Sequence, residues 1–259
     1  MAYKQLKLWF DKDLAIMLGN KIIRIDEKFN KNNFVKVVDQ GVTELELKDR
    51  VQFISNCLFE YLGADYSTGI NTLLQILGPE NPKEIDMFKE YYWIMPIAKY
   101  VEDYGLEDYS LSMKALEAIT QRNTSEYAIR PFIKKYPQKT IKQMLAWSKS
   151  SSFHVRRLSS EGGRPRLPWA SKLQMFIDDP APLLPILENL KDDTSKYVQN
   201  SVANCINDFV KDNRPVAEAL IESWIKEASI ERKWIIKHAI RNLRKVDDPW
   251  ALTILDRLN

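Results

Sequence analysis

The densest set of chemically capable side chains lies between His154 and Ala170, which reads His-Val-Arg-Arg-Leu-Ser-Ser-Glu-Gly-Gly-Arg-Pro-Arg-Leu-Pro-Trp-Ala. Helical spacing sets Arg157 and Glu161 at i and i+4, Gly162 and Gly163 can close that helix, and Arg164, Arg166 and Trp169 follow on a proline-pinned loop. A carboxylate beside four arginines and an indole is expensive to assemble without a use. The plainer reading is a helix ion pair worth a few tenths of a kcal/mol, followed by a Pro-rich connector with Trp169 buried. From spacing alone both readings stand.

A second group is cationic. On a helix expected from about Glu231 to Lys245, Lys237, Arg241 and Arg244 fall at i, i+4 and i+7 and project together, with Lys233 and Lys245 flanking. Cations at that spacing suit the phosphates of a duplex backbone, although a charge run is more often a solvated face. Glu126 closes Asn123-Thr-Ser-Glu126, which reads as a capping box in front of an apolar helix from Tyr127 to Tyr136, and capping explains it without chemistry.

The elements that must position these residues are helices. Apolar residues recur at three- and four-residue spacing, as in Leu6, Phe10, Leu14 and Met17, then Val51, Ile54, Leu58 and Leu62, and period-two alternation is almost absent. Eight glycines in 259 residues are too few and too scattered for a β-rich fold or a glycine-rich dinucleotide loop. Three segments starting at Phe153, Lys196 and Arg232 align at intervals of 43 and 36 residues, each after a shorter amphipathic stretch ending near Trp147, Leu190 or Lys226. A helix pair recurring at about 40 residues is the HEAT and armadillo period. The expectation is an all-α, HEAT-like solenoid forming a single domain over 1–259, less regular to about 105 and clearly repeating over 106–259. On the helix from about Ser195 to Lys211, Val198, Val202, Cys205, Ile206 and Phe209 form the apolar stripe and leave Asn200, Asn204, Asn207, Asp208 and Lys211 on another face. Those asparagines either bond carbonyls between repeats or meet a ligand.

Composition narrows the function classes. Hydrophobic residues at 45% and aromatic residues at 11% exclude disorder over most of the chain. Cys57, Cys205, His154 and His238 lie far apart with no CxxC or HxxxH pair, so no metal site is expected, and both cysteines read as reduced core thiols, which points to the cytoplasm. The longest apolar run, Tyr91 to Ala98, is far short of the roughly 20 residues that span a bilayer. Asp11, Lys12 and Asp13 interrupt any signal-peptide core. A net charge of +3 is too small to argue for nucleic acid by itself.

The run Arg156-Arg-Leu-Ser-Ser-Glu-Gly-Gly-Arg-Pro-Arg-Leu-Pro-Trp-Ala170 resembles the signature of the AlkC branch of the AlkC/AlkD DNA alkylation repair glycosylases. So do Thr124 to Phe132, Tyr197 to Asp208 and Trp234 to Arg241, in the family order, with similarity from Leu6 to Leu255. The resemblance implies a HEAT-like solenoid that excises cationic N-alkylated bases, of the 3-methyladenine and 3-methylcytosine class, from duplex DNA. It implies no cofactor, no obligate protein partner, and access to the lesion without full base flipping. It places catalysis on Glu161, Trp169, Glu126 and Asp208, and DNA contacts on Arg157, Arg164, Arg166, Asn204, Lys237, His238, Arg241 and Arg244. The C-terminal immunoglobulin-like domain of many AlkC proteins has no counterpart in this sequence, which is similar to the shorter subtype. The chemistry is coherent: a cationic base leaves neutral and needs no general acid, and a fixed carboxylate serves the oxocarbenium-like sugar and the attacking water. The rival class is a non-catalytic HEAT module that binds branched or damaged DNA or a protein. A methyltransferase is disfavoured by the lack of a cofactor loop or an activated cysteine.

Overall fold

A computed structural model describes residues 4–85 and 87–258, and every regular element among them is helical. The chain packs as two compact units, one up to Ala128 and one from Ile129. The first holds α1 (Lys12–Ile22), α2 (Lys31–Gly41), α3 (Leu47–Tyr61), α4 (Tyr66–Gln75), α5 (Met87–Glu90), α6 (Met95–Tyr104) and α7 (Tyr109–Thr120). The second holds α8 (Arg130–Lys135), α9 (Pro137–Trp147), α10 (Phe153–Glu161), α11 (Gln174–Asp178), α12 (Leu184–Leu190), α13 (Lys196–Asp212), α14 (Arg214–Ile225), α15 (Ile230–Ala239), α16 (Arg241–Arg244) and α17 (Pro249–Arg257). The division falls later than the change in sequence regularity near 105, because α6 and α7 pack onto α3 and α4.

Helix starts follow local chemistry. Asp11, Asp65, Asp108, Ser195, Ser229 and Asp248 each cap a helix by accepting backbone N–H bonds, which satisfies donors the first turn leaves unpaired. Pro131, Pro137, Pro185, Pro215 and Pro249 sit in first turns, where their missing N–H costs nothing. In the first unit Phe10, Leu14, Leu18, Ile22, Phe34, Ile54 and Leu58 make the apolar core, and the buried Arg50 donates to the carbonyls of Phe10, Thr43 and Leu45. Cys57 and Cys205 are unbridged and buried.

In the second unit the three aligned segments become α10, α13 and α15, which pack side by side in that order, each behind a partner: α9, α12 and α14. Polar bonds repeat with the period. Arg156 pairs with Asp193, Arg232 with Asp192, Trp224 Nε1 donates to Glu188, and Asn207 donates to the Ala239 carbonyl at 2.6 Å. Val198, Val202, Cys205, Ile206 and Phe209 are buried as the stripe requires. The polar face differs from expectation: Asn207 and Asp208 are buried as well, because α13 is covered by α10 on one side and α15 on the other. Asn207 is thus a bridge between repeats.

The predicted helix from Glu231 to Lys245 is interrupted at Ile240, whose φ of −92° and ψ of 10° end α15 before α16 starts. The predicted helix from Tyr127 likewise begins only at Arg130, after a run of turns, since Pro131 sets the first turn there. No helix among the described residues is long and apolar enough to cross a membrane.

Candidate active site

Glu161 is the last residue of α10, and space dictates the path of the chain beyond it. Gly162 has ordinary helical φ of −61°, so no left-handed cap forms; a Cβ there would lie 2.5 Å from Ile129 Cγ2, and one on Gly163 would lie 2.8 Å from Leu183 Cδ2. The glycines serve close packing, which brings the chain back beneath its own helix end.

That return puts Arg164 between two carboxylates. Its Nη1 donates to Glu161 Oε1 at 2.8 Å, and its Nε and Nη2 donate to Asp208 on α13 at 3.1 and 3.4 Å. Glu161 is 5% exposed and Asp208 2%, so all three charges are buried together. Arg157 Nη2 stands 3.5 Å from Glu161 Oε1 and its guanidinium lies 4.6 Å over the Tyr197 ring. Burial alone would push the Glu161 carboxyl up, but Arg157, Arg164 and a hydrogen bond from Ser201 outweigh it and hold the carboxyl below its ordinary value of 4.5. Ser201 is in turn 2.7 Å from the Ser160 hydroxyl. Burial opposes the charge on Arg164 too, and Glu161 and Asp208 overcome it, raising its pKa above the ordinary arginine value. The result is a buried cluster in which one guanidinium is shared by two carboxylates and Glu161 also faces Arg157.

Arg166 chelates Asp212, one turn beyond Asp208, at 2.7 and 2.5 Å. Just past Arg166 the chain turns at Leu167-Pro-Trp-Ala170, closed by Ala170 N–H to the Leu167 carbonyl at 3.2 Å. Trp169 occupies the third position with φ of +62°, where such turns favour glycine, and its side chain is 81% exposed. The alternative of a buried Trp169 is therefore wrong. A large apolar ring exposed on left-handed backbone is a surface on which a ligand could lie.

The cationic row separates into different environments. Lys237 and Arg244 are exposed, whereas Arg241 is partly buried, donating to the His238 carbonyl at 2.7 Å and to Asn204 Oδ1 at 2.9 Å. The break at Ile240 means they do not share one helix face. His238 stacks on Trp234 at 4.7 Å, with Lys196 Nζ 3.0 Å from the centre of that indole. Burial, then Arg241 and Lys196, push the His238 pKa below 6.5, so its imidazole is neutral at pH 7.

Glu126 belongs to the first unit, where its Oε2 accepts from Thr124 Oγ1 at 2.8 Å. The capping box does not form: the Asn123 amide donates to the Ile119 carbonyl, as an extension of α7. The carboxylates the second unit brings together are Glu161 and Asp208. Sequence reading missed Asp212, Ser201, Tyr197 and Arg130. Asp208 and Asp212 at i and i+4, matching Arg164 and Arg166 on the loop, were the signal that could have found the first of these. Among the described residues no group of three or more His, Cys, Asp or Glu could hold a metal ion.

A family profile described as DNA alkylation repair enzyme matches residues 96–243. The uncharacterised protein YhaZ of Bacillus subtilis strain 168 is 39% identical over 250 residues, covering 96% of this chain and 67% of that protein. The structure of the Pseudomonas fluorescens alkylpurine DNA glycosylase AlkC, bound to DNA containing an abasic site analog, superposes with a TM-score of 0.88 at 34% identity, over 98% of this chain and 69% of that one. A helical fold with this degree of likeness and a profile match across α6 to α16 leave one assignment: the chain belongs to the DNA alkylation repair enzyme family.

Proposed function

We propose that the protein is a monofunctional DNA glycosylase that releases cationic N-alkylated bases, such as 3-methyladenine and 3-methylcytosine, from duplex DNA. The observation that carries this reading is Glu161, a buried carboxylate at the end of α10 kept ionised by Arg157 and Arg164, with the exposed Trp169 on the loop that follows. In the reaction the C1′–N bond breaks with its electron pair going to the base, which departs neutral. The sugar is left with oxocarbenium character, water adds to C1′, and the proton lost by that water passes to solvent. A carboxylate with a lowered pKa is a weak base, so Glu161 contributes by opposing the developing positive charge and orienting water more than by accepting a proton. Asp208 fixes Arg164 from the other side and so fixes Glu161.

Trp169 offers a π face to the cationic base or the sugar, and a cation–π contact worth on the order of 0.5–2 kcal/mol disappears once the base is neutral, which aids release. Its place on the surface favours access without drawing the base into a closed pocket. Arg157, Arg164, Arg166, Asn204, Lys237, His238, Arg241 and Arg244 are the proposed DNA-facing set. Of these, exposed Lys237 and Arg244 suit phosphates directly, while Arg164 and Arg166 act chiefly by holding carboxylates. For Glu126, in the first unit, a catalytic role is proposed on the family resemblance alone.

The decisive experiment is incubation with methylated duplex DNA and identification of released bases by mass spectrometry. Glu161→Gln keeps an acceptor for Arg164 but removes the charge, and should lower single-turnover release by about 100- to 1,000-fold while duplex affinity holds. Release of uracil as fast as 3-methyladenine would overturn the cationic-substrate reading, and no release of any base would favour a binding module.

A further inference from the structure

Arg130 opens α8 and is 3% exposed, which is rare for an arginine and calls for a reason. Its Nη1 donates to the carbonyls of Gly162 at 3.1 Å and Arg164 at 2.9 Å, and its Nη2 donates to the carbonyl of Ser171 at 2.6 Å. Lys134, one turn on, donates to Ser171 Oγ at 2.8 Å. These acceptors bracket the stretch that carries Arg164, Arg166 and Trp169. Between Gly162 and Leu173 there is no helix, and backbone bonds are sparse: Arg164 N to Glu161 O, Ala170 N to Leu167 O and Leu173 N to Pro165 O. Irregular backbone with buried carbonyls must find donors elsewhere, and one planar fork that reaches both ends of a loop fixes their separation. Strained φ at Trp169 likewise persists only where the surroundings over-determine it.

We propose that Arg130 is a positioning residue for the base-release site: by clamping Gly162, Arg164 and Ser171 it sets the loop that holds Arg164 against Glu161 and projects Trp169. It touches no substrate. The inference rests on the proposed roles of Glu161 and Trp169, but the clamp itself has a readout apart from activity.

The test uses Arg130→Lys and Arg130→Ala in the full chain. Lysine keeps the charge and loses the fork, so Arg130→Lys should lower single-turnover base release by about 10- to 100-fold, in keeping with the sensitivity of catalysis to ångström-scale misplacement. Affinity for a duplex carrying an abasic-site analogue should stay within about threefold, since the exposed cations of α15 and α16 are untouched. Amide hydrogen exchange should quicken across 162–173 and stay unchanged in α13 and α15. Added guanidinium ion should restore release by Arg130→Ala. Release by a folded Arg130→Lys within about twofold of the unsubstituted protein would overturn the proposal. So would protection lost equally from α13 and α15, or failure of both variants to fold, because each makes Arg130 a general stability residue. If the unsubstituted protein releases no base, the glycosylase reading fails on its own, and exchange across 162–173 still decides the clamp.

Discussion

Trp169 combines two costs in one residue, an exposed indole and a left-handed backbone. Glycine at the same place would relieve about 1 kcal/mol of strain and remove little buried surface. Trp169→Gly should therefore leave the melting temperature unchanged or raise it by about 2–4 °C, while base release falls at least about tenfold. Calorimetry beside single-turnover assays checks both halves, and a clear loss of stability would mean that the indole is part of the packing. Glu161, Asp208 and Trp169 were marked out as candidates in the sequence by blocks that resemble a known family. Their partners were not. Ser160 meets Ser201, Arg166 meets Asp212 and Arg130 meets Ser171 across roughly one repeat, and the register that aligns them is set by helix packing rather than by local spacing. The conformation of Trp169 was hidden for the opposite reason, since Pro-Trp announces a turn in which glycine would be the ordinary third residue.

Helix α10 delivers Glu161 only if its end can approach α8 closely. Gly162 has helical dihedrals, so on backbone grounds alanine should stabilise it by up to about 1 kcal/mol. Packing argues the reverse, because the new Cβ meets a branched Ile129 side chain at 2.5 Å. We expect packing to win, with Gly162→Ala costing about 1–3 kcal/mol in denaturant unfolding and lowering base release as well. The interruption between α15 and α16 separates the roles of two cations that the sequence placed on one face. Lys237→Ala should lower the slope of log affinity against log salt by about 0.9 if the lysine neutralises one phosphate. Arg241→Ala also breaks the link to Asn204, so it should destabilise the protein as well as weaken binding; duplex titrations at several salt concentrations and thermal melts separate the two. The all-helical reading and the three aligned repeats agree with the structure, since amphipathic period and capping residues are local properties. The ends of α8 and α15 do not, because a first-turn proline and an isolated dihedral break leave the apolar pattern intact.

At the scale of the molecule, acid should act through carboxylates. Glu161, Glu188, Asp192, Asp65 and Asp248 all titrate below their ordinary values when folded. A depressed carboxylate contributes stability that is present above its unfolded pKa and is lost as pH falls through the folded one. His238 is also depressed, and its unfolded imidazole takes up a proton first as pH drops below 6.5, which favours the unfolded chain at a higher pH than the carboxylates do. Melting temperature should hence decline slightly from about pH 6.5 and steeply only below about pH 4.5, and base release should keep its rate down to about pH 5 because Glu161 stays ionised. An acid limb of release near pH 6 would instead implicate His238. The two sulfhydryls have a further consequence for a member of an alkylation repair family. Thiolates are the protein nucleophiles that electrophilic methyl donors seek first, yet burial pushes Cys57 up to about 11 and Cys205 well above 9.0. Both are shut away from solvent. In the folded protein neither thiol is therefore offered as an accessible thiolate to the agents that alkylate DNA.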